Sequence, residues 1–293
     1  MSDFGRLLTA MVTPMKENGD VDYEGAARLA LHLCESGSEG LVISGTTGES
    51  PVLTEDEKVK LFKTVVDEVG KKAFIFAGTC SYCTAESISL TKRAEKSGVN
   101  GILAVAPYYN KPPQEGLYRH FKAVAESTSL PVMLYNIPGR TGVNMKPETV
   151  ARLAQIKNIA ALKEAAGDME QLVQMVTVTP REFLVYSGDD CLTLPFLSGG
   201  AYGVVSVAGH LVGREIKDMI DLFFKGKPAE ALEVHQRLLP LFKALFITTN
   251  PIPVKYALKL MGLPSGRTRL PLCDPTESEQ EKIKETLKGY GLI

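Results

Sequence analysis

The chain has 293 residues, of which 44% are hydrophobic, and its 33 basic and 34 acidic residues give a formal net charge of −1. This composition supports a sizeable core, argues against disorder, and provides no general field that would attract nucleic acid or an anionic membrane. No stretch approaches the length of a membrane span, and no basic segment with a long apolar core opens the chain, so we expect a cytoplasmic protein that acts on small molecules.

Short apolar runs alternate with longer amphipathic stretches along the first three quarters of the chain. The short runs are typical of buried strands, and the amphipathic stretches are typical of surface helices. The predicted strands are 7–11, 40–43, 73–78, 101–105, 131–135, 159–163, 183–187 and 203–205. The predicted helices between them are 23–36, 54–69, 85–97, 114–127, 146–155 and 169–177, and Thr54 to Glu57 has the sequence of a capping box.

About eight strand–helix units predict an α/β fold, a closed (β/α)8 TIM barrel. An open doubly wound sheet is the alternative, but no G-x-G-x-x-G follows the first strand, which disfavours a dinucleotide fold. Beyond residue 224 the predicted elements 228–246, 251–261 and 277–288 are all helices. We therefore expect a barrel domain at 1–224 and a small C-terminal helical domain at 225–293.

The unusual residues of the chain follow the ends of predicted strands. They include GTTGE at 45–49, PYYN at 107–110, YNIPGRTG at 135–142, Lys163, GDD at 188–190 and SVAGH at 206–210. Active sites of barrel enzymes lie at this end of the strands and in the loops that follow. The pattern therefore predicts that these groups meet on one rim.

Lys163 stands alone at the end of an apolar run, IAALK. A buried ammonium either finds a partner or takes a lowered pKa, and a neutral lysine amine is a nucleophile that forms Schiff bases with carbonyls. The alternative is a lysine whose stem extends from the strand end to solvent. The decapeptide alone favours this alternative.

Other rim residues have equally ordinary interpretations when each is taken singly. GTTGE is typical of a plain turn and also of an anion cradle built from backbone N–H groups. Tyr135 could be a packed aromatic, and Arg140 either a solvated charge or a clamp for a carboxylate. Asp189 and Asp190 without further oxygen donors are most often a solvated loop or a helix cap rather than a cation site.

The five cysteines do not form a secreted disulfide framework, although Cys80 and Cys83 make a C-x-x-C pair. A zinc site would need a second pair or nearby histidines, and a redox pair would need a thioredoxin-like unit. The histidines also lack ligand spacing. We expect two ordinary thiols in a loop and no metal site.

Six motifs together resemble the dihydrodipicolinate synthases, also called 4-hydroxy-tetrahydrodipicolinate synthases, of the class I pyruvate-dependent aldolase superfamily. The motifs, in order along nearly the whole chain, are GTTGE (45–49), YYNKP (108–112), YNIPGRTG (135–142), LKEAAGD (162–168), SGDD (187–190) and NPIPVK (250–255). The resemblance implies a barrel with C-terminal helices, a homotetramer built from two tight dimers, and no metal or organic cofactor.

The resemblance also implies catalytic roles. Lys163 is similar to the lysine that forms an imine with pyruvate, and Tyr135 to the tyrosine that shuttles protons. Thr46 resembles the hydroxyl partner of this tyrosine. Tyr109 is similar to the tyrosine that crosses the tight-dimer interface to complete the relay in the neighbouring subunit.

Substrate-binding roles follow from the same resemblance. Thr47 matches the residue that holds the pyruvate carboxylate, and Arg140 the residue that binds the carboxylate of L-aspartate 4-semialdehyde. Gly188 and Val205 are expected to line the pocket. The implied reaction gives 4-hydroxy-tetrahydrodipicolinate for diaminopimelate and lysine biosynthesis.

Two alternatives remain beside this implied function. A 2-keto-3-deoxy sugar acid or N-acetylneuraminate lyase of the same superfamily would share Lys163 and Tyr135, but its neutral sugar aldehyde gives no reason for Arg140. A barrel that binds a keto acid only as a sensor would be expected to lack Lys163 or Tyr135.

Feedback-inhibited members of the family bind L-lysine between the subunits of the tight dimer. The glutamate and tyrosine of that cleft correspond to Glu86 and Tyr108, whereas its histidine and asparagine correspond to Lys58 and Tyr82. An added ammonium and a bulky phenol predict weak sensitivity to L-lysine.

Overall fold

In the computed structural model, which describes residues 4–293, eight parallel strands form a closed barrel. Each strand pairs with its neighbours in chain order, and the last strand closes the barrel against the first. The strands are β1 (Leu7–Ala10), β2 (Gly40–Ile43), β3 (Phe74–Gly78), β4 (Gly101–Val105), β5 (Val132–Asn136), β6 (Ile159–Glu164), β7 (Leu184–Ser187) and β8 (Gly203–Ser206). The predicted barrel is confirmed.

Helices follow the strands and cover the outside of the barrel. Within residues 4–293 they are α1 (Tyr23–Glu35), α2 (Glu55–Val69), α3 (Thr84–Lys96), α4 (Gln114–Glu126), α5 (Pro138–Thr141), α6 (Pro147–Leu153), α7 (Met169–Val178), α8 (Thr193–Ser198), α9 (Gly209–Phe224), α10 (Pro228–Ala244), α11 (Ile252–Leu260) and α12 (Glu277–Gly289). The predicted elements agree with these bounds to within about two residues, whereas the prediction does not include α5, α8 and α9.

The start of α2 shows how local sequence fixes an element. The Thr54 side chain accepts from the Glu57 N–H, and the Glu57 carboxylate accepts from the Thr54 N–H at 2.8 Å, which confirms the capping box. Glu57 also lies 2.5 Å from the Arg269 guanidinium. The hydrogen bond from Arg269 is the main reason that the pKa of Glu57 falls to about 2. The cap therefore also ties α2 to the C-terminal segment.

The apolar core has two layers, as expected for a barrel that is filled by side chains and covered by helices. The larger layer lies between the strands and the surrounding helices. The smaller layer fills the barrel interior and includes Tyr135 and Val205. At the end where the strands begin, Phe4 packs against Phe74 with ring centroids 4.7 Å apart. The opposite end is left to the polar groups of the rim.

The helices that follow α9 share the core of the barrel. Buried residues such as Phe242 on α10, Val254 on α11 and Leu287 on α12 belong to the same apolar cluster as the barrel helices. The predicted C-terminal helical segment is confirmed. The division of the chain after residue 224 into two domains stays a prediction.

Across residues 4–293, no helix combines the length and apolar character that crossing a membrane requires.

Candidate active site

Lys163 and Tyr135 lie side by side at the ends of β6 and β5. The strand register pairs the two residues directly. The Lys163 ammonium nitrogen is 4.4 Å from the centroid of the Tyr135 ring. Lys163 is only 5% exposed, so the alternative of a lysine that reaches solvent is wrong.

Burial gives Lys163 the electronic state that a nucleophile needs. It is the main cause that lowers the Lys163 pKa to about 8; Asp190 and Asp189 oppose this shift, and the positive charge of Arg140 reinforces it. At pH 7 roughly one amine in ten is then neutral, compared with roughly one in 2,500 at the ordinary pKa near 10.4. The site therefore raises the population of the reactive amine.

Gly188 leaves room for the Lys163 side chain. A Cβ at this position would lie 3.1 Å from Cε of Lys163 and 2.7 Å from Cβ of Ala165. A larger residue would displace the amine or the strand that carries it. The structure thus places Gly188 against the lysine side chain, and a role in lining the substrate pocket stays a prediction.

Tyr135 has a hydroxyl partner within the same site. Thr46 lines the same cavity as Tyr135. Burial raises the pKa of Tyr135 to about 12, while the charge of Arg140 and a side-chain interaction with Thr46 oppose this shift. The phenol therefore stays protonated at neutral pH. A neutral hydroxyl that is linked to a second hydroxyl can both give and take a proton when a strong acid or base forms beside it.

The GTTGE sequence forms a tight turn that is anchored on several sides. The Glu49 N–H donates to the Thr46 carbonyl at 3.1 Å, and Glu49 itself adopts a left-handed conformation with φ of 56°. Thr47 is buried, and its hydroxyl oxygen accepts from the Asn250 side-chain amide at 2.9 Å. The turn is therefore ordered by distant parts of the chain and is not a plain solvated turn.

Arg140 lies on α5, directly after β5. Its side chain is exposed, and one guanidinium N–H donates to the Asn250 carbonyl at 3.2 Å. The remaining donors are free to meet a ligand in the fork geometry that suits a carboxylate. Asn250 thus connects Thr47 and Arg140, two residues expected to bind the two different substrates.

A cavity of about 230 Å³ opens beside these groups. Its lining consists of Ser44, Gly45, Thr46, Ser50, Pro51, Gly78, Cys80, Leu103, Val105, Tyr108, Tyr135, Ile137, Arg140 and Thr141. The lining does not include Lys163, whose amine lies against the Tyr135 ring that does form part of the wall. Val205 is buried in the barrel interior with Tyr135 and is not a wall residue either. The cavity therefore reaches Tyr135, against whose ring the lysine amine lies.

The two aspartates after β7 differ from each other. Asp189 caps the following turn by accepting from the Cys191 N–H at 2.8 Å, as one alternative predicted. Asp190 is fully buried and accepts from the Ser206 hydroxyl and from the backbone N–H groups of Val207 and Ala208. The expectation of a solvated residue is therefore wrong for Asp190, because backbone donors and a buried hydroxyl replace water. No cluster of three metal-ligating side chains occurs among the residues that the structure describes.

The sequence profile of the Dihydrodipicolinate synthetase family matches residues 3–290. The chain belongs to this family. The 4-hydroxy-tetrahydrodipicolinate synthase of Desulforamulus reducens is 56% identical over 292 residues, which cover 99% of each chain.

Solved structures of family members have the same fold. Dihydrodipicolinate synthase from Cyanidioschyzon merolae with lysine bound is 50% identical, with a TM-score of 0.98 over 99% of both chains. The chloride-inhibited enzyme of Acinetobacter baumannii complexed with pyruvate is 38% identical, with a TM-score of 0.96 over 99% of this chain and 100% of that one.

The two tyrosines of the family motif YYNKP face different surroundings. Tyr108 lines the cavity, whereas Tyr109 is 90% exposed and is absent from the cavity wall of its own chain. Tyr109 also holds a left-handed backbone with φ of 69°. The structure therefore does not bring Tyr109 to the Tyr135 of the same chain.

The four residues expected at the effector cleft of this family lie together beside the cavity. Burial lowers the pKa of Lys58, while Glu55 and Glu86 oppose the shift. The rings of Tyr82 and Tyr108 meet edge to face with centroids 5.2 Å apart. Burial also raises the pKa of Tyr108, and Tyr82 and Glu86 raise it further.

The two cysteines of the C-x-x-C sequence lie near the cavity, whose wall includes Cys80. Cys80 and Cys83 are both free thiols. Burial raises the pKa of Cys80 to about 12, so its reactive thiolate is scarce at neutral pH. The expectation of two ordinary thiols stays a prediction.

Sequence reasoning assigns no role to a polar network behind the site. Asn136 follows Tyr135, Glu164 follows Lys163, and the Asn136 amide donates to the Glu164 carboxylate at 2.9 Å. The same amide contacts Asn144 at 2.7 Å in the segment after Arg140. Because alternate residues of a strand face opposite ways, the network lies on the outer side of the barrel wall. A sequence signal was present, since a polar residue follows each expected catalytic residue.

Proposed function

We propose that this chain condenses pyruvate with L-aspartate 4-semialdehyde to give 4-hydroxy-tetrahydrodipicolinate. The observation that carries the proposal is the buried amine of Lys163, with its lowered pKa, against Tyr135, which lines the same cavity as Thr46. Membership of the family and the name of its Desulforamulus relative support the same reaction.

The first step is formation of the pyruvate imine. The neutral Lys163 amine attacks the keto carbon, and loss of water from the resulting carbinolamine gives a protonated imine. The departing oxygen needs a proton and the nitrogen must lose one. The linked hydroxyls of Tyr135 and Thr46 can supply and accept these protons. Thr47 holds the pyruvate carboxylate through its hydroxyl hydrogen, since its oxygen accepts from Asn250.

The second step makes the carbon–carbon bond. The protonated imine nitrogen draws electrons from the pyruvate methyl group, which loses a proton and becomes an enamine. The enamine carbon attacks the aldehyde carbon of the second substrate, whose oxygen takes up a proton. Arg140 binds the carboxylate of this substrate at the cavity wall.

The third step releases the enzyme. The amino group of the second substrate attacks the imine carbon, closes the ring and displaces Lys163 as a free amine. This step restores the lysine for another pyruvate. Every step uses the amine and protein hydroxyls, so the proposed reaction requires no organic cofactor or metal.

The lyase alternative fits the same lysine and tyrosine but leaves Arg140 without a ligand group. Product analysis separates the two reactions. Pyruvate supplied with L-aspartate 4-semialdehyde should give the cyclic amino acid product, and pyruvate supplied with N-acetylmannosamine or a sugar aldehyde should give none. Condensation with a sugar aldehyde alone would replace the proposed reaction with that of a lyase.

We further propose a homotetramer built from tight dimers, in which Tyr109 completes the relay of the neighbouring subunit, and a cytoplasmic location. The 90% exposure of Tyr109 beside its own cavity supports this role, because a partner subunit could cover the ring. Mixed dimers that combine Tyr109→Phe with Lys163→Ala should regain activity, since one of their two sites carries neither defect. Confirmed mixed dimers without activity would limit Tyr109 to interface packing.

A further inference from the structure

A buried ion pair joins the GTTGE turn to α11. The Lys255 ammonium lies 2.6 Å from the Glu49 carboxylate, and each residue is only 2% exposed. Glu49 ends the turn that carries Thr46 and Thr47, whereas Lys255 is about 200 residues later in the chain. The C-terminal helices therefore contact the active-site rim through a charge pair.

The pair has a full set of hydrogen bonds. Besides Glu49, the Lys255 ammonium donates to the carbonyls of Thr13 at 3.0 Å and Arg267 at 2.7 Å. The second Glu49 oxygen accepts from the Arg269 N–H at 2.9 Å. Three ammonium hydrogens thus meet three acceptors, which fixes the position of both side chains. A buried pair of this kind contributes little net stability compared with apolar residues of equal size, so geometry is its clearer effect.

The same turn is anchored at two more points. The Thr13 hydroxyl donates to the Gly48 carbonyl at 2.7 Å. The Asn250 amide donates to the Thr47 hydroxyl oxygen at 2.9 Å. Asn250 and Lys255 belong to one short segment, so the C-terminal region contacts both ends of the sequence Thr47 to Glu49.

The position of this turn affects the proposed reaction, because that reaction uses the hydroxyls of Thr46 and Thr47. Thr46 lines the same cavity as Tyr135 and interacts with it through its side chain. The Glu49 N–H donates back to the Thr46 carbonyl, so movement of Glu49 passes directly to the residue that contacts the relay. A misplacement of about 1 Å in a catalytic group can cost on the order of a hundredfold in rate.

We propose that Lys255 and Glu49 are positioning residues, through which the C-terminal helices hold Thr46 and Thr47 in register with Tyr135 and the pyruvate carboxylate. This inference rests on the proposed function, because it concerns the same imine chemistry. Neither residue touches the reacting atoms; each acts through the turn.

The decisive variant is the double substitution Glu49→Gln with Lys255→Met. It replaces both charges with neutral side chains of similar size, so no unpaired charge remains in the core. The matched control is Tyr256→Phe, which removes a hydrogen bond to Gln280 from the adjacent position of the same helix without touching the turn. Thermal unfolding establishes a temperature at which all proteins are folded.

At that temperature, the rate of borohydride trapping of pyruvate on Lys163 is measured against pyruvate concentration. We expect the double variant to trap at least tenfold more slowly than the wild type, with a higher half-saturating pyruvate concentration, because Thr46 and Thr47 have both moved. Tyr256→Phe should stay within twofold of the wild type. A purely structural pair would lower the melting temperature and leave the trapping rate of the folded protein unchanged.

The outcomes separate the two proposals. A wild-type protein that forms no pyruvate adduct would contradict the proposed function and the positioning role together. A wild type that reacts, with a folded double variant that reacts equally fast, would overturn the positioning role alone. If the double variant does not fold, Glu49→Asp alone decides, because it keeps both carboxylate oxygens and the charge but shortens the side chain by one methylene, which shifts the turn relative to Lys255 and Arg269. A loss of at least threefold in its trapping rate supports the role, and a wild-type rate overturns it.

Discussion

Among residues 4–293 two lysines are buried, and their surroundings give them opposite chemistry. Lys163 on β6 lies against the Tyr135 ring, and its pKa falls to about 8 through burial. Lys255 on α11 is equally buried but has the Glu49 carboxylate at 2.6 Å and two carbonyl acceptors. Burial also lowers the pKa of Lys255, but Glu49 opposes the shift. A carboxylate in direct contact keeps the buried Lys255 as an ammonium. Lys163 has no such contact, so part of its population is an amine that can react.

The largest expected effect is loss of turnover on substitution of the reactive lysine. Lys163→Met should lower turnover by on the order of 10³-fold or more, because the covalent route is removed. The exposed Lys259 on the same helix as Lys255 provides a control, since Lys259→Met should leave turnover unchanged. Turnover by Lys163→Met within tenfold of the wild type would contradict the covalent role.

The stability effects of the two lysines should have opposite signs. Lys255→Met leaves the Glu49 charge buried and unpaired, so it should lower the free energy of unfolding by about 3–5 kcal/mol. Lys163→Met removes a poorly solvated amine and should raise the free energy of unfolding by up to about 3 kcal/mol at pH 7. Denaturant unfolding measures both, and Lys259→Met should change the value by less than about 0.5 kcal/mol. Equal losses of unfolding free energy in Lys255→Met and Lys163→Met would contradict the expected difference in sign.

Arg140→Ala should separate the two substrates. Loss of a charge-assisted contact with a carboxylate costs about 1.5–3 kcal/mol, which is roughly a ten- to hundredfold decrease in turnover with the semialdehyde. Trapping of pyruvate should change much less. A parallel loss of trapping would show that Arg140 acts on the first substrate instead.

The pH dependence tests the state of Lys163 directly. With a pKa of about 8, the neutral fraction and hence the imine-forming rate should rise roughly tenfold from pH 7 to pH 9 and then level off. Between about pH 8 and 10.4 the unfolded chain, in which the lysine pKa is near 10.4, binds more protons than the folded chain. The lysine's contribution to stability should therefore also rise with pH across that window. Subtracting the Lys163→Met profile isolates this contribution. An imine-forming rate that keeps rising to pH 10 would indicate an unshifted lysine.

A third lysine, Lys58, gives the smallest predicted effect. Burial lowers its pKa, while the carboxylates of Glu55 and Glu86 oppose the shift, and we expect an ammonium in the effector cleft. Like charges about 4 Å apart at an effective dielectric near 20 repel by about 4 kcal/mol, and a third of that weakens binding of L-lysine about tenfold. Purified enzyme at low pyruvate should show little inhibition. Strong inhibition below about 1 mM L-lysine would refute this, since that corresponds to binding beyond about −4 kcal/mol.

Much of the fold and site follows from local sequence. The apolar runs that end at Tyr135 and Lys163 predict their strands, and Thr54 with Glu57 predicts the start of α2, because these signals involve neighbouring residues. The pairing of Glu49 with Lys255 and of Asn250 with Thr47 joins residues about 200 positions apart. Periodicity and capping contain no information about such contacts.

Local sequence patterns also do not predict short elements or the burial of single side chains. The helix α8 has 6 residues, too few for a clear amphipathic period. The sequence SGDD predicts a solvated Asp190. In the structure the carboxylate is buried and accepts hydrogen bonds from β8 and from the segment after it. Whether Lys163 reaches solvent also depends on the complete barrel, which only the structure shows.

Reductive trapping tests the central claim most directly. The protein is incubated with pyruvate, reduced with borohydride, digested and mapped by mass spectrometry. A single adduct on Lys163 is predicted, because its amine is partly neutral and lies beside the cavity, while Lys255 should remain unmodified as a paired ammonium. No adduct, or an adduct on Lys255 or another lysine, would contradict the account.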